Sequence, residues 1–194
     1  MKTISLRAPL PTLGTYTIGN DFATIMIDEI LTRKPKVILE AGSGVSTILA
    51  AYCMEKLGTG TLRSLEHLPE YQTATSEMLS EHHLEKTDTK IILAPLREYT
   101  FHAESYHWYT TQDLDILTSI DMLIVDGPPR PTCHLARYSI LPLFYERLSP
   151  QAIILLDDTH REDEKIITER WLKEFPEFKA HYFSTQKGAI LFHK

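Results

Sequence analysis

Short apolar runs alternate with longer segments of helical pattern along most of the chain, and this alternation constrains the fold more than any other feature. The runs are Val37-Ile38-Leu39, Thr61 to Leu65, Ile91-Ile92-Leu93, Met122 to Val125 and Ala152 to Leu156. Most are continuously apolar rather than alternating, as strands covered on both faces must be. Helical patterns lie between them at about 45–57, 70–85, 133–148 and 162–174. Such a succession predicts a parallel sheet wound with helices on both faces. The tail departs from the pattern: Lys179 to Ser184 and Ala189 to His193 are strand-like runs joined by Thr185-Gln186-Lys187-Gly188. That is a hairpin signal, and it places an antiparallel element at the C-terminal edge.

No repeat, low-complexity tract or Gly/Ser linker divides the 194 residues. One domain is therefore expected, comprising an N-terminal segment and helix (1–35), a core (36–176) and a C-terminal hairpin (177–194). Asn20 or Asp21 is placed to cap the first helix, which would run to about Arg33 before Pro35. Pro142 predicts a kink in the 133–148 helix. The 98–113 segment lacks a period and carries Tyr99, Phe101, Tyr106, Trp108 and Tyr109. A segment of this kind is either functional or partly structured, and its rings serve as packing or as a lid over a ligand. His82-His83 reads as a solvated helix face.

Charge and cysteine usage narrow the function classes. Lys+Arg number 20 against 26 Asp+Glu, a net charge of −6, which disfavours nucleic acid as a partner. No apolar run approaches the ~18 residues of a membrane span, so no membrane partner is expected. The opening MKTISLRAPLPTLG lacks an apolar h-region, and Cys53 and Cys133 read as reduced thiols in helical, apolar surroundings. A cytoplasmic protein is expected, with homo-oligomerisation left open.

Chemistry concentrates at strand ends. The first strand runs into Glu40-Ala41-Gly42-Ser43-Gly44-Val45-Ser46-Thr47 and then directly into a helix. Glycines 42 and 44 permit a tight turn and close ligand approach. A lone G-x-G is a weak signal, but here a strand precedes it, a helix follows, and Glu66 stands 22 residues beyond Gly44. An acid at that distance is placed to accept ribose hydroxyls in a nucleoside-binding unit. A dinucleotide would bring an anionic pyrophosphate to this loop, where Glu40 would repel it, and Thr47 replaces a third glycine. S-adenosylmethionine, with its sulfonium and amino group, suits the loop better. In the plainer alternative, Glu40 bonds loop amides and Glu66 is an exposed acid.

The stretch Val37 to Thr47 resembles motif I of class I S-adenosylmethionine-dependent methyltransferases, in the E-x-G-S-G-x-S-T form of a small bacterial branch. The resemblance continues through Trp108-Tyr109, Asp121 to Pro129, Ala136-Arg137-Tyr138 with Leu141-Pro142-Leu143, and Leu155 to Glu164, which carries the D-D-x-x-R pattern. It implies a Rossmann-like sheet of about seven strands whose last strand is antiparallel. It also implies that Gly42, Ser43 and Gly44 line the methionine end of the cofactor, with Ser46, Thr47 and Asp126 also among the cofactor-binding residues. Glu40 would orient that end and Glu66 would hold the ribose. Where many members carry an Asp near adenine, this chain has Ala94-Pro95-Leu96. Adenine contacts then fall to backbone groups and to Leu68 and Leu96. Tyr16 would belong to a segment folding over the cofactor.

Asp126 follows the fourth strand and Asp157-Asp158 end the fifth, on the rim where the methyl group would lie. By resemblance to magnesium-dependent O-methyltransferases, Asp126, Asp157 and Asp158 would ligate Mg²⁺, although Pro128-Pro129 replaces the polar residues common there. Two other readings stand beside this one. Asp157-Asp158-Thr159 would cap the next helix, or one of Asp126, Asp158 and His160 would act as general base. Arg130 is either a contact for an anionic substrate or a surface residue. The expected activity is methyl transfer to a small-molecule acceptor, through an oxygen nucleophile. The alternatives are a non-catalytic S-adenosylmethionine-binding module and a nicotinamide-dependent oxidoreductase.

Overall fold

The computed structural model describes residues 4–11, 18–114 and 117–194; Tyr16 lies outside them. The seven runs expected as strands form one sheet: β1 (Val37–Ala41), β2 (Thr61–Glu66), β3 (Asp88–Leu93), β6 (Ile120–Val125), β7 (Leu148–Asp157), β8 (Lys179–Phe183) and β9 (Ala189–His193). Their order is β3-β2-β1-β6-β7-β9-β8. Neighbours are parallel except at β9, which runs antiparallel to both β7 and β8. The Rossmann-like sheet with an antiparallel C-terminal hairpin strand is therefore present.

Successive side chains of each central strand point to opposite faces, which makes two cores. Ile38, Leu62, Met122, Ile124 and Leu155 face α1 (Asn20–Arg33), α2 (Val45–Leu57) and α3 (Pro69–Glu81). Leu39, Leu65, Leu123, Val125, Ile154 and Leu156 face Phe144 of α4 (Ile140–Phe144) and Trp171 of α5 (Glu162–Glu174). The aromatic 98–113 segment completes this second face as an antiparallel hairpin, β4 (Leu96–Phe101) and β5 (Glu104–Tyr109). Tyr106, Trp108 and Tyr109 are buried, so the hairpin covers the sheet where a crossover helix would otherwise lie. The packing reading holds for these three rings.

Several expectations are corrected. The 133–148 helix does not form: turns occupy most of 133–139, only Ile140–Phe144 is α-helical, and Tyr145–Arg147 closes as a 3-10 turn. Three features break it. Pro142 lacks an amide hydrogen for the ladder, Leu135 takes a left-handed φ of 53°, and the segment bends to bring Arg137 to the strand ends. Cys133 consequently sits half-buried in that turn, its Sγ accepting the His107 amide, rather than in a helical core. His82 is not solvated. It is buried, and its Nδ1 lies 2.9 Å from the Tyr52 hydroxyl.

The first helix starts at Asn20 without a side-chain cap. Asp21 instead accepts hydrogen bonds from its neighbour Phe22 N (2.8 Å) and from Gln186 N (2.5 Å), tying α1 to the β8–β9 turn. The Gln186 amide, chiefly, holds this carboxyl below its usual range. A depressed carboxylate stabilises the fold above its unfolded pKa and loses that contribution as pH falls through the folded value. Asp21→Ala should therefore lower stability by about 1 kcal/mol at pH 7, a deficit that shrinks below about pH 4. Thermal denaturation across pH measures it.

Candidate active site

From β1 the chain winds outward in both directions, to β2 and β3 on one side and to β6 and β7 on the other. A crevice opens beyond the carboxyl ends of the strands at such a switch point. Gly42 and Gly127 meet there. A Cβ on Gly127 would lie 2.4 Å from the Tyr109 hydroxyl and 3.0 Å from Gly42 Cα, so nothing larger than glycine fits. Asp126 N donates to Ala41 O at 3.1 Å, holding the two turns together. Gly44 adopts φ 156°, ψ −140°, a region reserved for glycine, and a Cβ there would face open space. The loop thus presents bare backbone to the crevice.

Glu40 lies fully buried beneath this loop. Its Oε2 accepts the Thr47 hydroxyl at 2.6 Å, and Thr47 Oγ1 accepts Gly44 N at 3.0 Å, so carboxylate and hydroxyl together fix the turn. Thr47 takes the third-glycine position as a brace. Burial raises the Glu40 carboxyl to about 7 against the opposing hydroxyls of Ser46, Thr47 and Ser64. Its Oε1 has no hydrogen-bond partner.

Glu66 is also buried, not exposed. Its Oε1 accepts His67 N (2.8 Å) and Leu68 N (3.1 Å), just before α3, where unsatisfied amides attract a carboxylate. Oε2 accepts the Ser43 hydroxyl at 3.1 Å, and Ser43 in turn touches Thr75. The glycine loop and the end of β2 are joined through this carboxylate. Of the residues expected near adenine, half-buried Leu68 adjoins Glu66, while Leu96 pairs with Tyr109 in the hairpin.

Asp126, Asp157 and Asp158 converge at the ends of β6 and β7, each offering an oxygen within 4.8 Å of the others. Arg137 lies among them, 3% exposed. Its Nη2 donates to Asp126 Oδ1 (3.0 Å), Asp158 Oδ2 (2.8 Å) and Asp126 O (3.1 Å), and its Nη1 donates to Asp157 O (3.1 Å). Glu164 Oε1 lies 3.7 Å from its Nε. Outside, Arg161 Nη1 approaches Asp158 Oδ2 at 2.8 Å and Lys187 Nζ approaches Oδ1 at 4.0 Å. Asp158 takes a left-handed φ of 61°, a conformation aspartate tolerates better than most residues. Asp157 Oδ1 accepts Asp158 N, while Oδ2 has no partner. Burial, then the charges of Asp126 and Asp158, raise the Asp157 carboxyl.

His160 is exposed at the rim, with its N–H donating to Lys187 O and its ring against Gly188. Arg130 is exposed in the 3-10 turn Arg130–Thr132. Helix α5 begins after Arg161, and no Asp157 or Asp158 side chain caps it. Sequence reasoning gave no role to Arg137, and the function of Tyr109 at Gly127 was also missed. Arg137 carried a usable signal, being the one cation in the otherwise apolar or neutral stretch Leu135 to Phe144. A buried guanidinium demands carboxylate partners.

A glycine loop at the switch point, an acid closing the next strand and an antiparallel final strand agree with the class I S-adenosylmethionine-dependent methyltransferase that the sequence resemblance implies. A family model described as "Methyltransferase domain" matches residues 39–159, and the chain belongs to that family. No curated protein sequence matches it significantly. Among solved structures it resembles an S-adenosylhomocysteine-bound methyltransferase from Podospora anserina (TM-score 0.69, 17% identity, covering 91% of this chain and 79% of that one). It also resembles an O-methyltransferase from Bacillus cereus in complex with S-adenosylhomocysteine (TM-score 0.67, 14% identity, 93% and 84% covered). A third similar structure is precorrin-6y C5,15-methyltransferase from Geobacter metallireducens (TM-score 0.63, 14% identity, 95% and 94% covered). At these identities the likeness is one of fold. No helix among the described residues is long and apolar enough to cross a membrane.

Proposed function

We propose that the crevice between β1 and β6 binds S-adenosylmethionine and that its methyl group passes to an oxygen of a small-molecule acceptor at the Asp126 rim. The observation that carries this reading is the contact of Gly42 with Gly127 beside the Glu66 carboxylate. Gly42, Ser43 and Gly44 would receive the methionine end, and Glu66 would accept the ribose hydroxyls. Glu40, Ser46 and Thr47 would hold the loop in shape from below. The unpartnered Glu40 Oε1 is the oxygen that gains most from a cationic ligand.

The reaction needs little covalent help, because the sulfonium is already an activated methyl donor and alignment supplies much of the rate. Asp126 is the triad member with the most exposed side chain, at 23%. It would receive or orient the acceptor hydroxyl. Asp158 is committed to two guanidinium groups, and His160 would serve as a proton acceptor from the solvent side. Incubation with methyl-labelled cofactor and a panel of hydroxyl, amine and thiol acceptors tests the reading. Label on hydroxyl compounds supports it, whereas label on nitrogen or sulfur alone replaces the acceptor class.

The Glu40 carboxyl gives the reading a pH signature. A raised acid favours the fold while protonated, so that contribution is complete below about pH 4.5 and is lost as pH rises through about 7. A cationic ligand prefers the ionised form, so cofactor affinity should increase roughly tenfold between pH 6 and 8. Glu40→Gln should bind with a flat pH profile over that range and should melt higher than the natural protein at pH 8 but not at pH 5. Calorimetry with S-adenosylmethionine and thermal melts check both halves.

A further inference from the structure

We infer that Arg137 supplies from within the chain the positive charge that a divalent cation would supply among Asp126, Asp157 and Asp158, so that this methyltransferase binds its cofactor and works without a metal ion. The inference rests on the cofactor reading above.

The donor set suggests a hard-cation site by spacing alone, and three features of its surroundings argue against one. First, Asp126 and Asp158 are each engaged by a guanidinium, whereas Asp157 keeps one oxygen without a partner. Asp158 Oδ2 receives a hydrogen bond from Arg137 and an ion pair from Arg161, and Asp126 Oδ1 receives a hydrogen bond from Arg137. Magnesium requires near-octahedral oxygens whose lone pairs point at the ion, and one oxygen of Asp126 and one of Asp158 are turned to guanidinium nitrogen instead. Second, the guanidinium cannot leave or lose its charge. It is buried and anchored on the main-chain carbonyls of Asp126 and Asp157, at the ends of the two strands that would carry a metal. An arginine does not deprotonate in a protein, and a buried one needs its carboxylates for itself. Third, Arg161 and Lys187 flank Asp158 from outside, so an approaching cation meets positive charge there as well.

In this arrangement Arg137 is a positioning residue. It pins the end of β6 to the end of β7, which fixes Asp126 beside Gly42 without occupying the crevice. The residue is delivered by the turn that replaces the expected 133–148 helix.

Manganese binding followed by electron paramagnetic resonance, with S-adenosylhomocysteine present, tests the inference on the natural protein and on Arg137→Lys and Arg137→Ala. The natural protein and Arg137→Lys should show no saturable site, and affinity for S-adenosylhomocysteine should change by less than about twofold between chelator and excess Mg²⁺. Arg137→Ala should acquire a saturable manganese site, and Mg²⁺ should raise its melting temperature. A merely structural role for Arg137 would not create metal binding. Saturable manganese binding to the natural protein, removed by Asp157→Asn, would overturn the inference. So would an Arg137→Ala protein that folds and binds no manganese. Should Arg137→Ala fail to fold, the natural protein and the lysine variant decide the matter alone. Absence of S-adenosylhomocysteine binding in the natural protein would instead remove the cofactor reading, and that result is read separately from the manganese signal.

Discussion

Replacing Glu66 by Ala is expected to lower affinity for S-adenosylhomocysteine by about two orders of magnitude, the combined effect of the two charge-assisted hydrogen bonds that the proposed ribose contact would make. The same carboxylate joins the glycine loop to the start of α3 through Ser43, His67 and Leu68, so its loss also loosens the crevice wall. Glu66→Gln separates the two contributions. The amide keeps one acceptor oxygen but turns an NH₂ toward groups that are mostly donors, and its affinity should fall between the other two proteins. Titration calorimetry reads all three. Unchanged affinity in Glu66→Ala would place the cofactor elsewhere.

Gly127→Ala should have the second large effect, and for a steric rather than an electrostatic reason. Its added carbon would lie 2.4 Å from the Tyr109 hydroxyl and 3.0 Å from both Cα and N of Gly42. Tyr109 is buried among Trp108 and the hairpin core, and Gly42 N is held by Leu65 O at 3.0 Å, so neither yields cheaply. Overpacking of this kind typically costs about 1–3 kcal/mol, and here the displaced atoms belong to the loop proposed to hold the cofactor. Denaturant unfolding should show that loss together with weakened S-adenosylhomocysteine binding. Adding Tyr109→Phe removes the shortest contact but not the Gly42 contacts, so the double variant should recover part of the stability. A Gly127→Ala protein with natural stability and affinity would mean that the β1 and β6 turns separate easily and do not form the crevice as described.

Most of the fold was legible because its signals are local. A run such as Ile38-Leu39 or Ile124-Val125 must bury both faces, and that requirement places a strand between helices wherever the run occurs. The Lys179 to His193 hairpin was likewise marked by its own turn residues. The site was legible to the same depth: Glu40, Gly42, Gly44 and Glu66 sit at strand ends, and strand ends of a parallel sheet share one rim. The 133–148 stretch was not legible, because its apolar spacing fits a helix, while Pro142 and the Arg137 charge together select a turn. Nor was the aromatic hairpin, where Tyr106 and Trp108 alternate as strand residues should but the adjacent Tyr109 is buried as well and hides the period.

The sequence by itself determined the alternation of strands and helices, the bare-backbone loop after β1 and the placing of five acids at strand ends, since each depends on residues a few positions apart. Tertiary structure decided what those acids face. Arg137 reaches Asp126 and Asp158 only because β6 and β7 are adjacent and parallel, and Tyr109 meets Gly127 only because the hairpin folds back across the sheet. Charge pairing and close packing depend on distances that sequence separation does not encode. For that reason the three carboxylates, which along the chain left metal, capping and general-base readings open, are found only in the fold to surround an arginine.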